Sequence, residues 1–287
     1  MHSNNAVSWI KAWGGSIFAI AISLFFAFSL PFLFLYIVMY TLPSIPFLIP
    51  GLILAVLYPL LTFLSLKVFI EKILKIPLKT LRFSPFRLNL GGVLIGILLP
   101  ALILIVYNLL PGEWIVEENL TSDYIYNVMW YGISIGITEE MVFRGVVMGL
   151  LEKCYKFRAA LIVSSVIFAS LHLVSGFISP LSTIQLIVSG SIMGVLLGLV
   201  GYYYNSFWNN ALIHALWNAL LLVVFYIGTG PTNISVFTYV LESQSPLVTG
   251  GDFGFESSAV STLAILFYTG IMVYVIKRQQ RIAAGNS

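Results

Sequence analysis

Seven residues in three apolar stretches have types and spacings that could do chemistry. Glu139, Glu140 and Arg144 lie in "GITEEMVFRG", Phe168 and His172 in "FASLH", and His214 and Asn218 in "HALWN". Ionisable groups within a bilayer cost on the order of a few kcal/mol each, so they turn inward and pair. Glu140 and Arg144 are four apart, share a helix face and can form an ion pair. Glu139 lies about 100° around the helix from Glu140 at 3.6 residues per turn, so it is expected to point elsewhere. Phe168 with His172, and His214 with Asn218, repeat the four-residue spacing that aligns side chains on one face. If the three faces converge, they enclose a carboxylate, two imidazoles and an amide.

Such a set suits hydrolysis of an amide bond. A buried glutamate can act as general base for water. An imidazole and an amide N–H can stabilise the oxyanion that develops. Ser170 and Ser175 flank His172 without a nucleophile elbow around either, and Cys154 falls in a basic loop away from both histidines. Glu139, His172 and His214 could alternatively bind zinc with a water in the open position. The helical H-E-x-x-H signature for that is absent and the two histidines come from different spans, so no cofactor is the first expectation and zinc the alternative. His2, the third histidine, stands in the N-terminal tail.

The elements that must position these residues are membrane helices. The 287-residue chain is 59% hydrophobic and 9% charged, with a mean hydropathy of +0.99. A soluble domain cannot carry that much apolar surface, so the composition predicts an all-α, polytopic transmembrane bundle. About 20 apolar residues cross a bilayer core. On that rule eight spans are expected, at 16–40, 47–70, 90–110, 124–150, 159–177, 183–204, 207–228 and 258–276. The first is longer than the roughly 7–15 residue core of a signal peptide and reads as a retained helix.

Charge fixes an expected orientation. Segments 71–89, 151–158 and the tail after 276 are rich in Lys and Arg, whereas 111–123 and 229–257 carry only acidic charges. Lys and Arg gather on the cytoplasmic side, so both termini are expected there. At ~1.5 Å per residue, Glu139 then lies about 15 Å from the inner end of its span. His214 and Asn218 lie about 10–17 Å from theirs by the same rise, so the cluster is expected near the midplane, toward the cytoplasm. Gly132 and Gly136 extend the Glu140 face and invite a close helix neighbour; Gly190, Gly194, Gly198 and Gly201 read as a second packing face. No linker divides the chain, which reads as a single integral-membrane domain over 1–287 with its catalytic core at 124–228. The net charge of +3 does not suggest a nucleic-acid partner. A single cysteine rules out an intramolecular disulfide.

The three motifs in this order resemble E-E-x-x-x-R, F-x-x-x-H and H-x-x-x-N/D of the CAAX protease and bacteriocin-processing (CPBP, or Abi) family, which includes the type II CAAX prenyl endopeptidase. The resemblance covers roughly 124–228. It implies that Glu139 activates water, that Glu140 and Arg144 support it, and that His172, His214 and Asn218 aid water activation and oxyanion binding. Phe168 takes a packing or pocket role. The implied activity is intramembrane proteolysis of a membrane protein or lipidated peptide within the bilayer, with the plasma membrane as the location in a prokaryote. Non-proteolytic bacteriocin immunity or scaffolding is the alternative, followed by a proton-coupled transporter, for which the expected repeats are missing.

Overall fold

The computed structural model describes residues 7–118, 121, 123–176, 178–232 and 234–285. His2 and residue 177, the expected end of the fifth span, lie outside the described residues. The chain forms a helical membrane bundle. Six helices are long and apolar enough to cross a membrane among the described residues. We label them α1 (Trp9–Thr41), α2 (Leu48–Ile73), α3 (Leu90–Asn108), α5 (Phe157–Val174), α6 (Pro180–Tyr204) and α8 (Ala259–Ala284). Between them lie α4, a continuous helical stretch over 123–151, and α7 (Trp208–Val224), which is apolar but shorter.

Local sequence sets the ends of these helices. Ser179 caps α6, accepting from Ser182 N–H at 3.4 Å, and Pro180 follows at the first helical position. Asn205 ends the same helix in the left-handed conformation at φ 47°. α1 is capped by Ser8 and passes through a wide π-helical turn at Pro31–Leu35, where proline cannot donate to the helix ladder. Ile17, Phe25, Ile53, Ile97, Ile184 and Phe267 stay exposed on the helix exteriors. In water each would forfeit its burial energy; in a bilayer it meets lipid.

The seventh expected span differs from the structure in an instructive way. α7 stops at Val224, and residues 225–228, assigned to the seventh span, form a strand. This strand, β2 (Phe225–Gly228), joins β1 (Gly112–Val116) and β3 (Phe237–Leu241) in a sheet ordered β1-β3-β2. β1 pairs antiparallel with β3, from Gly112 opposite Leu241 to Val116 opposite Phe237. β2 runs parallel to β3, with Phe225 opposite Phe237. Aromatic and β-branched residues fill these strands, and Trp114 packs on Phe225 and Tyr239. The expectation of a helical bundle therefore stands, with the seventh span ending at Val224 and strands added at Gly112–Val116, Phe225–Gly228 and Phe237–Leu241.

Two packed clusters flank the site. One joins α3, α6, α7 and α8 through Leu99, Ile103, Leu196, Val200, Ile213 and Ile265. The other joins α1, α2, α4 and α5 through Ala19, Leu66, Ile70, Val146, Leu150 and Phe168. Both glycine faces work as packing surfaces. A Cβ on Gly136 would come within 2.8 Å of Ala215 N on α7, and one on Gly194 within 2.8 Å of Ser165 Cα on α5. Those contacts are with backbone, so close approach depends on glycine.

Candidate active site

α4 carries the first motif in a distinctive setting. Its segment Ile135–Glu140 is regular α-helix, but the flanking turns Val128–Ser134 and Met141–Val147 are π-helical. A third π-helical turn, Ala219–Val224, begins directly after Asn218. Such turns concentrate at functional sites because they re-aim side chains out of the regular period.

Glu140 and Arg144 form the expected ion pair, at 2.7 Å from Arg144 Nη1 to Glu140 Oε1. Both are buried. Arg144 Nη2 also donates to the Gly194 carbonyl at 3.3 Å, and its guanidinium lies 4.4 Å from the centre of the Phe168 ring. A buried charge needs this many partners to offset its lost hydration. Phe168 thus has a definite task as a surface on which Arg144 rests. It also meets His172 and His214 edge-on, at ring-centroid distances of 5.0 and 5.9 Å.

The two imidazoles are held differently. His172 Nδ1 is 3.0 Å from the Phe168 carbonyl, as the four-residue spacing allows, so Nδ1–H donates and Nε2 is the free nitrogen. His214 Nδ1 is 3.0 Å from Glu140 Oε1, a link between helices that the sequence does not reveal. Its Nε2 lies 3.8 Å from Glu139 Oε2. Asn218 donates through Nδ2 to the Tyr131 carbonyl at 3.0 Å, which leaves the second amide hydrogen for another acceptor.

Glu139 differs from its neighbour as expected. Its side chain makes no hydrogen bond among the described residues, whereas Glu140 Oε1 accepts from both Arg144 and His214; the second oxygen, Oε2, is buried without such a partner in each. Two cavities of about 230 and 360 Å³ meet at this carboxylate. Both are walled by Tyr131, Ile135, Glu139, Phe168 and His172. The smaller adds His214 and Asn218; the larger opens along Ile20, Leu24, Ala27 and Phe28 of α1. All four residues expected to act on water or an oxyanion therefore line one cavity.

Among the described residues, no three His, Cys, Asp or Glu side chains are grouped closely enough to hold a metal ion. Glu139, His172 and His214 do not make such a set here.

The smaller cavity has two further walls that motif reading did not find: Phe253 and Glu256, from the segment before α8. Phe253 meets the His172 ring at 5.9 Å. Glu256 Oε1 accepts from Trp217 Nε1 at 2.5 Å. Trp217, packed in the core, is thus also a donor. The segment is folded against α6: Ser179 N–H donates to Asp252 at 2.7 Å, and Asp252 N–H donates to Ser182 Oγ at 2.9 Å. The acidic composition of 229–257 was the one sequence signal that could have pointed here.

Residues 121–220 match a family model described as type II CAAX prenyl endopeptidase Rce1-like. The matched segment contains all seven motif residues, and the resemblance drawn from them is borne out. No curated protein and no solved structure matches the chain.

Proposed function

We propose that this integral membrane protein is an endopeptidase of the CAAX prenyl type, cleaving a peptide bond in a membrane-associated or lipidated substrate with a glutamate-activated water. The family match over 121–220 supports the reaction class. The observation that carries the mechanism is Glu139 at the meeting of two cavities, with its Oε2 buried and without a hydrogen-bond partner among the described residues. Its lone pairs are available to a water, while Glu140 Oε1 already accepts from Arg144 and His214.

Glu139 removes a proton from water, and the hydroxide attacks the scissile carbonyl carbon. His172 Nε2 faces the same cavity and steadies the water. His214, with a proton on each ring nitrogen, and the second Asn218 amide hydrogen donate to the carbonyl oxygen as it becomes an oxyanion. Glu140, Arg144 and Phe168 act on these groups rather than on the substrate: they hold His214 and His172 in orientation. The larger cavity, with its α1 wall of apolar side chains, suits the lipid-bearing side of the substrate. The basic segments 71–89, 151–158 and the tail after 276 support an orientation with the inner ends of the active-site helices in the cytoplasm.

The test uses the purified protein in proteoliposomes with an internally quenched C-a-a-X peptide farnesylated on its cysteine. Glu139→Gln keeps shape and removes the base, so cleavage is expected to fall about 10²–10⁴-fold with the melting temperature unchanged. Undiminished cleavage would sink the mechanism and favour a non-catalytic role. Comparison of protein termini in membranes bearing the parent or Glu139→Gln protein then identifies the natural substrates.

A further inference from the structure

The smaller cavity holds a second carboxylate outside the three motifs. Glu256 sits in the short helical turn Phe255–Ser257, just before α8. One of its oxygens is fixed by Trp217 Nε1 at 2.5 Å, and Trp217 is the residue directly before Asn218. The turn is fastened on both sides. Ser257 Oγ donates to Gly250 O at 2.7 Å, and Ser261 Oγ donates to Phe255 O at 2.7 Å. Glu256 therefore lines the cavity from a braced position, and Glu139 lines the same cavity.

Peptide hydrolysis needs two proton transfers. Water must lose a proton, and the leaving nitrogen must gain one before the C–N bond can break. Two carboxylates in unlike surroundings divide such labour when one stays ionised and the other stays protonated. We propose that Glu256 is the general acid of this site and protonates the leaving nitrogen, while Glu139 is the base. This inference rests on the endopeptidase reading.

The step balances. Glu139 carboxylate takes one proton from water, and the hydroxide forms the new C–O bond. As the tetrahedral intermediate collapses, the C–N electron pair goes to nitrogen, which receives the Glu256 proton. The products are a carboxylic acid and an amine. Glu139, now protonated, returns its proton to Glu256 carboxylate through water, and both groups are reset.

The surroundings agree with this division. Burial pushes the Glu256 carboxyl up from its ordinary value, opposed by the Trp217 hydrogen bond and by His172 and His214, and reinforced by Glu139. Tyr226 of β2 is a further titratable neighbour.

The experiment compares two substrates: the farnesylated peptide and its thioester analogue, with sulfur in place of the scissile nitrogen. A thiol has a pKa of about 8.5, so it leaves as thiolate without a proton donor. Glu256→Gln keeps an acceptor for Trp217. It is expected to lower kcat for the amide about 10²–10⁴-fold, and kcat for the thioester less than about tenfold, with KM little changed. Hydrolysis of the thioester by the same preparation reports that the variant is folded. The alkaline fall of the amide pH profile is expected to be missing from the thioester profile. Trp217→Phe, which frees the carboxylate, is expected to give a smaller loss of the same selectivity. Equal losses on both substrates, or none on the amide, would overturn the proposal. Glu139→Gln is expected to lose both reactions; if it loses neither, the base reading itself fails, whatever Glu256 does.

Discussion

The helices over 123–224 and the segment over 237–257 hold their site residues by different means. In the helices, the partners repeat at four-residue spacing: Glu140 with Arg144, Phe168 with His172, His214 with Asn218. The first two pairs are direct contacts within one helix. In the segment, local bonds brace the turn before α8, and the anchors that dock it on the bundle come from far along the chain. Ser179 and Ser182 hold Asp252, Trp217 holds Glu256, and Tyr107 O–H donates to the Val248 carbonyl at 2.7 Å. The helical part buries charge, so fold and chemistry stand or fall together there. The segment relies on hydrogen bonds, some at the surface, so its loss should affect the chemistry and leave the bundle standing.

The largest expected effect tests the helical half. Glu140→Ala strands Arg144, which is 2% exposed, and removes the acceptor of His214 Nδ1. Removing one partner of a buried ion pair costs about 3–5 kcal/mol. Thermal unfolding in detergent should show a marked drop in Tm, together with loss of cleavage. Glu139→Gln, one residue away, should leave Tm in place. If Glu140→Ala melts like the parent, the charge at that position is not structural and the contrast between the two glutamates collapses.

A smaller effect is expected at the seam between α4 and α7. Gly136 stands against Ala215 backbone, which cannot yield as a flexible side chain would. Gly136→Leu should cost about 1–3 kcal/mol through overpacking. It should also push α7 aside, moving His214 and Asn218 from Glu139, so activity falls further than stability. Gly270→Leu is the control, because nothing lies within 4 Å of a Cβ there. Equal consequences at the two sites would mean that helix approach does not set the geometry.

The same contrast explains what could be read in advance. Glu139, Glu140, Arg144, Phe168, His172, His214 and Asn218 were legible because lipid makes polar groups conspicuous and a helix converts spacing into direction. Convergence was only a condition in the sequence; it is met because glycine faces bring α4 to α7 and α5 to α6. The link from His214 to Glu140 was invisible, since it joins residues 74 positions apart. The π-helical turns were invisible too, because they alter backbone period without a residue signature of their own. Glu256 was hidden for a third reason. In a water-facing acidic segment a carboxylate is unremarkable, and only the fold shows that this one turns inward. The strands were missed because Phe225–Gly228 is as apolar as the helix it follows.

The smallest expected effect tests the other half of the contrast. Asp252 is exposed, and its carboxylate stands beside Ser179, at the start of α6. The hydroxyl and amide of Ser179 hold the Asp252 carboxyl below its ordinary value. The ordinary value for Asp is about 3.9. A lowered folded value means that the anchor is in force above that pH and is lost as the pH falls through the folded value. Hydrogen–deuterium exchange of residues 246–257, corrected for intrinsic rates, should therefore be flat from neutrality to about pH 5 and rise only in stronger acid. Asp252→Asn should remove that acid-dependent rise and accelerate exchange slightly at neutral pH, with the bundle amides unchanged. Cleavage should fall less than in Glu256→Gln, because the Asp252 N–H bond to Ser182 and the Trp217 bond to Glu256 both remain. If exchange at neutral pH is unaltered in Asp252→Asn, those two bonds alone dock the segment, and its surface charge plays no part in presenting Glu256 to the cavity.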